Sequence, residues 1–282
     1  MIKYRENRND ITQSVEIDLT KVGDQSRQHL EHKINECLKN IDKKYQHIFR
    51  FEAGNKLIYK TEVLIPKVNK DRLNILMVFG NPAVHSVAER MFFSYQKTRS
   101  KEKWVEHKFW RALRDCDVLK FDRNIEKPTP QNIKKINDYK RYCLLKGQYE
   151  SKFYIFLLPY FSFPTPASRE YNGVAGIRQI VGTEIFKEMK KFEFQRFEDI
   201  ILSNGIKYVI CFQKTDVRKE IVQKEDKPIC NILDNPKYPV YRLGGSLEHV
   251  ILYRAPPTRR LHIQEAKEIL SGMICDIINR IG

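Results

Sequence analysis

Leu73-Asn74-Ile75-Leu76-Met77-Val78-Phe79, closed by Gly80-Asn81-Pro82, is the stretch that decides the fold. A short apolar run ended by turn residues reads as a parallel strand buried on both faces. In open α/β sheets, ligands sit beyond the carboxyl ends of such strands. The turn therefore delivers Asn81 to the place where α/β proteins carry out chemistry. Asn81-Pro82 also fits a plain helix start, with Asn as the cap and Pro in the first turn. An Asn amide cannot take a proton as a carboxylate does, but it can orient a water by hydrogen bonds. The free N–H groups of the turn can hold an anion.

Working outward, three more runs read as buried strands: Phe153 to Leu158, Tyr208 to Phe212 and Val250 to Tyr253. Helical stretches alternate with them at 85–95, 104–115, 129–145, 177–202 and 261–280. The last of these places Ile263, Ala266, Leu270, Ile274 and Ile277 on an apolar face. Alternation of this kind predicts α/β architecture, a parallel sheet covered on both faces. Upstream, Val15, Ile17 and Leu19 alternate as one edge strand. Leu30, Ile34, Cys37/Leu38, Ile41, Tyr45 and Ile48 recur at helical spacing over 26–49, and Ile58 to Ile65 reads as extended chain ended by Pro66. The division expected is 1–71, an N-terminal helical and extended elaboration, and 72–282, the α/β domain.

The 282 residues and 41% hydrophobic content support a sizeable core. Lys and Arg number 51 against 35 Asp and Glu, a formal charge of +16. That excess favours a polyanionic partner, nucleic acid first and an acidic membrane surface second, unless it serves solubility alone. Six scattered cysteines, none in a C-x-x-C pair, read as buried thiols of a reduced intracellular protein. The charged start, Met1 to Asp10, reads as lacking a signal peptide, and no run approaches membrane-spanning length. The expected location is the cytoplasm, free or nucleoid-associated, with no membrane partner.

Two further segments carry candidate chemistry. Pro159 to Pro166 is a stiff aromatic loop past a strand end. Tyr160, Phe161 and Phe163 there suit stacking on a flat base, although aromatics of such turns also pack back on the core. Arg254-Ala255-Pro256-Pro257-Thr258-Arg259-Arg260 is a loop stiffened by two prolines and carrying three arginines, with His262 beside it. It suits phosphate contact or insertion into a groove, or equally a solvated loop before a helix. Lys97 to Lys103 reads as a basic exposed loop and 214–228 as a charged surface excursion. Gly173-Val174-Ala175-Gly176 is a weak anion-site signal. P-loop, nucleophile-elbow, zincin and dinucleotide fingerprints are absent, and no metal or organic cofactor is implied.

Three of these segments resemble the uracil-DNA glycosylase superfamily, nearest its mismatch-specific and single-strand-selective branches. Ile75 to Pro82 resembles the strand ending in Gly-x-Asn-Pro-Gly. Lys108-Phe109-Trp110-Arg111-Ala112-Leu113 resembles the Phe-Trp helix of the mismatch-specific branch. Val250 to Arg259 resembles the last strand and its His/Asn-Pro-Ser loop. The resemblance covers roughly residues 72–282. It implies a three-layer α/β/α sandwich on a four-stranded parallel sheet and a pocket for a flipped base. By carry-over, Asn81 positions the water that attacks the sugar C1′, Phe161 or Phe163 stacks on the base, and the 255–260 loop presses into DNA. The implied activity is hydrolysis of the N-glycosidic bond of a deaminated or damaged base.

The chain also departs from that pattern. Gly80 adjoins Asn81 directly, Ala83 stands for the closing Gly, Ala255 for the His or Asn, and Pro257 for the Ser. Leu157 or Leu158 stands where some branches read the base with Asn. These departures keep a second reading open: a nucleic-acid-binding protein with the same fold and no catalysis. The six cysteines are too dispersed for an iron–sulfur branch.

Overall fold

The computed structural model describes residues 1–39, 43–52, 55–69, 71–97, 104–121, 128–166, 171, 173–213, 221 and 238–280. The basic loop from 98 to 103, nearly all of the 214–228 excursion, Ile41, the Leu38 side chain and Cys230 lie outside the described residues.

The chain begins with strands β1 (Ile2–Arg5) and β2 (Thr12–Asp18), then helix α1 (Asp24–Lys39), and strands β3 (Phe49–Glu52) and β4 (Lys56–Glu62). These four strands form an antiparallel sheet in the order β1-β2-β4-β3. The α/β part follows with β5 (Leu73–Phe79), α2 (Val84–Ala88), the short pair β6 (Gln96–Lys97) and β7 (Trp104–Val105), α3 (Lys108–Asp115) and α4 (Ile133–Lys146). It continues with β8 (Phe153–Pro159), α5 (Gly173–Ser203), β9 (Tyr208–Cys211), β10 (Val240–Arg242), β11 (Ile251–Arg254) and α6 (Gln264–Asn279).

The molecule is mixed α/β, and the four expected apolar runs are all parallel strands of one sheet. That sheet has five strands, not four, in the order β10-β11-β9-β5-β8. The fifth, β10, pairs antiparallel on β11 through Val240 and Tyr253. Its three residues, Val240 to Arg242, carry too little periodicity to stand out in sequence.

Continuous apolar runs are what two buried faces require, and side chains alternate between them. Ile75, Met77, Phe79, Ile155 and Ile210 face one core; Leu76, Val78, Phe156 and Val209 face the other. The first core packs against Phe109, Trp110 and the buried face of α6. The second packs against α5, α1 and the N-terminal sheet. Ile263 does not join the α6 core: it precedes the helix and is 37% exposed.

The N-terminal part packs onto the α/β part. Leu64 exchanges two backbone hydrogen bonds with Leu157, which covers the open edge of β8 and blunts an edge that would otherwise pair with other chains. Of the cysteines, Cys37, Cys143 and Cys211 are buried as expected, but Cys275 is exposed. No described helix is long and apolar enough to cross a membrane.

Strand order reverses at β5, which has β8 on one side and β9 on the other. Such a switch point opens a crevice at the strands' carboxyl ends. The chain leaving β5 there is Gly80-Asn81-Pro82.

Candidate active site at the strand ends

The helix after this turn starts at Val84, and Ala83 is its cap residue, with no side-chain capping bond. Asn81 is thus not a helix cap. Its Nδ2 donates instead to Thr165 Oγ1 at 2.9 Å and to Pro82 O at 3.2 Å, with Phe163 O at 3.5 Å. Three acceptors around one atom identify it as the NH₂ group. Among the described residues, nothing donates to the other amide atom, Oδ1. The amide is held rigidly by the 159–166 loop and keeps its acceptor unclaimed.

That loop runs beside the Asn81 turn like a continued parallel strand. Phe161 N donates to Gly80 O at 2.8 Å, Thr165 N to Pro82 O at 3.1 Å, and Val84 N to Thr165 O at 3.2 Å. The pairing turns its aromatics inward. Tyr160, Phe161 and Phe163 are all 0% exposed. Phe163 packs on Tyr59 and Phe49 of the N-terminal sheet, Phe161 stacks on Phe186, and Tyr160 lies edge-on to Phe197. All three belong to the core, so the expected base-stacking role does not fall to them. Packing on α5 for Tyr160 and Phe161, and on the N-terminal sheet for Phe163, takes the exposure that role needs.

A buried polar network grips the loop from behind. Ser162 N donates to Glu193 Oε1 at 2.6 Å, Arg196 Nε donates to Glu193 Oε2 at 2.8 Å, and Arg196 Nη2 donates to Tyr160 O at 3.0 Å. Burial raises the Glu193 carboxyl above its ordinary range, and the Arg196 guanidinium pulls it back.

In front of Asn81 lies a cavity of about 220 Å³. That exceeds the roughly 30 Å³ share of one water and falls below the about 300–1,000 Å³ of pockets for drug-sized ligands. It suits a single small ring system. Asn81, Phe93, Phe212, His85, His107 and Thr258 are among its walls, with Glu62 and Gln213.

Phe93 is the aromatic the sequence reading missed. The expected helix over 85–95 ends at Ala88. Met91, Phe92 and Phe93 are three consecutive bulky residues that no single helix face accommodates, which was the available signal. The chain turns there instead, with Arg90 at φ 53° and Phe93 at φ 49°. A left-handed backbone is unusual for a bulky residue and marks a strained position. Trp110 Nε1 holds it, donating to Phe92 O at 3.0 Å and Phe93 O at 3.2 Å. Phe93 then stacks on His107, with centroids 4.6 Å apart and planes within 20°.

Both cavity histidines are held neutral. Burial lowers His85 below its usual value. Burial, with Lys108, Arg111 and His85 nearby, lowers His107 to about 4. His107 Nδ1 accepts from Phe109 N at 3.2 Å, so the ring's proton sits on Nε2.

The arginine loop reaches the same site. Thr258 lines the cavity, while Arg254, Arg259 and Arg260 are exposed and Pro256 and Pro257 half-buried. Arg259 O accepts from Lys108 Nζ at 2.8 Å and lies 2.9 Å from His262 Nδ1, fastening the loop to α3. Ala255 is buried and offers the cavity no polar atom. Among the described residues, no group of three or more His, Cys, Asp or Glu converges as a metal site would require. Gly173 to Gly176 lies away from the cavity, and Gly176 is needed for contact with the Tyr171 backbone, 2.4 Å or less from where a Cβ would stand.

No protein-family model matches the chain, and no curated protein matches it.

Proposed function

We propose that this chain is a base-excising hydrolase of nucleic acid with glycosylase-like α/β/α layering. The single observation that supports it best is the Asn81 amide: its NH₂ is tied down and its carbonyl oxygen is free, at the rim of a ring-sized, aromatic-walled cavity. Such an oxygen accepts a hydrogen bond from a water and fixes it for attack. The water oxygen bonds C1′ of the sugar, the C1′–N bonding pair leaves with the base, and the water's surplus proton neutralises the departed base. Phe93 supplies the stacking face for the flipped base. The His107 N–H offers a fixed donor to charge developing on the leaving group. Arg254, Arg259 and Arg260 provide phosphate contacts at the mouth. The cytoplasm, including the nucleoid, is where such a substrate would be met.

Ala255, apolar and buried where the resembled loop opens with His or Asn, favours a second reading, a nucleic-acid binder that lacks the chemistry. Oligonucleotides containing uracil, hypoxanthine or xanthine, treated with alkali after incubation, distinguish the two. Base excision predicts strand cleavage that falls by about 100-fold or more in Asn81→Ala, the scale of losing one fixed polar contact to the reacting centre. Tight, salt-sensitive binding with no abasic product establishes the binder instead.

A further inference from the structure

One wall of the cavity comes from the N-terminal antiparallel sheet. Glu62, the last residue of β4, is 4% exposed and lines the cavity beside Asn81. Its carboxyl Oε2 lies 2.8 Å from Ser86 Oγ, and the same Oγ lies 3.0 Å from Met91 O. A serine hydroxyl has one hydrogen, and a backbone carbonyl only accepts. An ionised Glu62 would leave two acceptors competing for that hydrogen. A protonated Glu62 satisfies both contacts: its O–H donates to Ser86 Oγ, and the Ser86 O–H donates to Met91 O.

The surroundings agree. Burial pushes the Glu62 carboxyl up to about 8, opposed only by the Ser86 hydrogen bond. On β2, the residue opposite Glu62 is the uncharged Thr12. Of the charged groups flanking these elements, Asp10 and Arg90 are paired with each other, Glu89 at the end of α2 is exposed, and Lys60 lies two residues before Glu62 on β4. On the remaining walls the titratable groups are His85 and His107, both held neutral by burial.

We propose that Glu62 is a positioning and specificity residue, a neutral carboxyl that hydrogen-bonds the polar edge of the bound base, and that losing its proton closes the site to a base leaving as an anion. The role rests on the base-excision reading. A carboxylate in this water-poor wall would face the developing negative charge where screening is weakest. The base class selected is one with a polar ring edge and a stabilised anion, such as an oxo-substituted purine or pyrimidine.

The test is the pH–rate profile of base release from the best oligonucleotide substrate, for wild type and Glu62→Gln. Wild type should lose about tenfold in rate per pH unit above the Glu62 value near 8. Glu62→Gln, which cannot ionise, should lack that alkaline decline whatever its absolute rate. The same decline in both overturns the role of Glu62 and leaves base excision standing; no release by either protein at any pH overturns base excision and the leaving-group role together. Should the variant fold poorly, infrared spectroscopy of the wild type decides. A protonated carboxyl C=O band at neutral pH that disappears as pH passes 8 is expected, and its absence overturns the proposal.

Discussion

A methyl group on Gly80 would lie 1.9 Å from Gln213 Nε2 and 2.7 Å from Gln213 Cδ. Both are at the far end of a flexible side chain, and no backbone strain is involved. Gly80→Ala should therefore fold with little loss of stability, within about 1 kcal/mol, while displacing Gln213 from its place in the cavity wall. Displacements of an ångström near a reacting centre cost up to about 100-fold in rate. Base release by Gly80→Ala should fall on that scale, and Gly80→Ala/Gln213→Ala, which lacks the same amide in the wall, should not recover it. A variant that is unstable, or as active as wild type, would show that Gly80 serves only the turn. At this scale the site was partly legible. Asn81 stood out because an apolar run stops beside it. Glu62, His85 and His107 did not, because each lies in or beside an element with no chemical motif, and only tertiary packing brings them to one cavity.

The 159–166 loop shows why an element's position can be read while its orientation cannot. Its place past a strand end was visible, but whether Tyr160, Phe161 and Phe163 faced solvent or core depended on α5 and the N-terminal sheet behind them. Of that sheet, only β2 was legible by alternation and β4 as extended chain ended by Pro66. β1 and β3 are four residues each and half exposed, too short for periodicity to separate from loop. The loop's rigidity rests on the Glu193–Arg196 pair, whose side chains are 0% and 3% exposed. Removing one member of a buried pair strands the other charge and costs about 3–5 kcal/mol. Arg196→Met should thus lower unfolding free energy by that amount in denaturant titrations. Adding Glu193→Gln, which keeps an acceptor for Ser162 and removes the stranded charge, should restore part of it. A double variant no more stable than the single would mean that Arg196 acts mainly through the carbonyls of Pro159 and Tyr160.

Across the whole molecule, the strand alternation announced α/β architecture, because burial on both faces leaves no other pattern for four apolar runs. The antiparallel edge strand and the second sheet escaped that logic, since half-exposed strands carry weaker signals. The N-terminal 71 residues nonetheless complete the site: they close the β8 edge through Leu64 and contribute Glu62. The surplus of 16 positive charges is equally a property of the whole, and it has a measurable signature. Each phosphate neutralised releases condensed counterions, so log K falls with log salt by about 0.9 per contact on duplex DNA and about 0.7 on single strands. Arg259 and Arg260 are exposed beside the cavity loop. Replacing both with Ala should flatten the salt slope by about 1.4 on a single strand and about 1.8 on a duplex, with the remaining slope left to other basic residues. Fluorescence anisotropy of a labelled oligonucleotide across a salt series measures the slope directly. Affinity that drops uniformly with the slope intact would place the phosphate contacts elsewhere on the basic surface, and would leave this loop a role in shaping the cavity mouth through Thr258 alone.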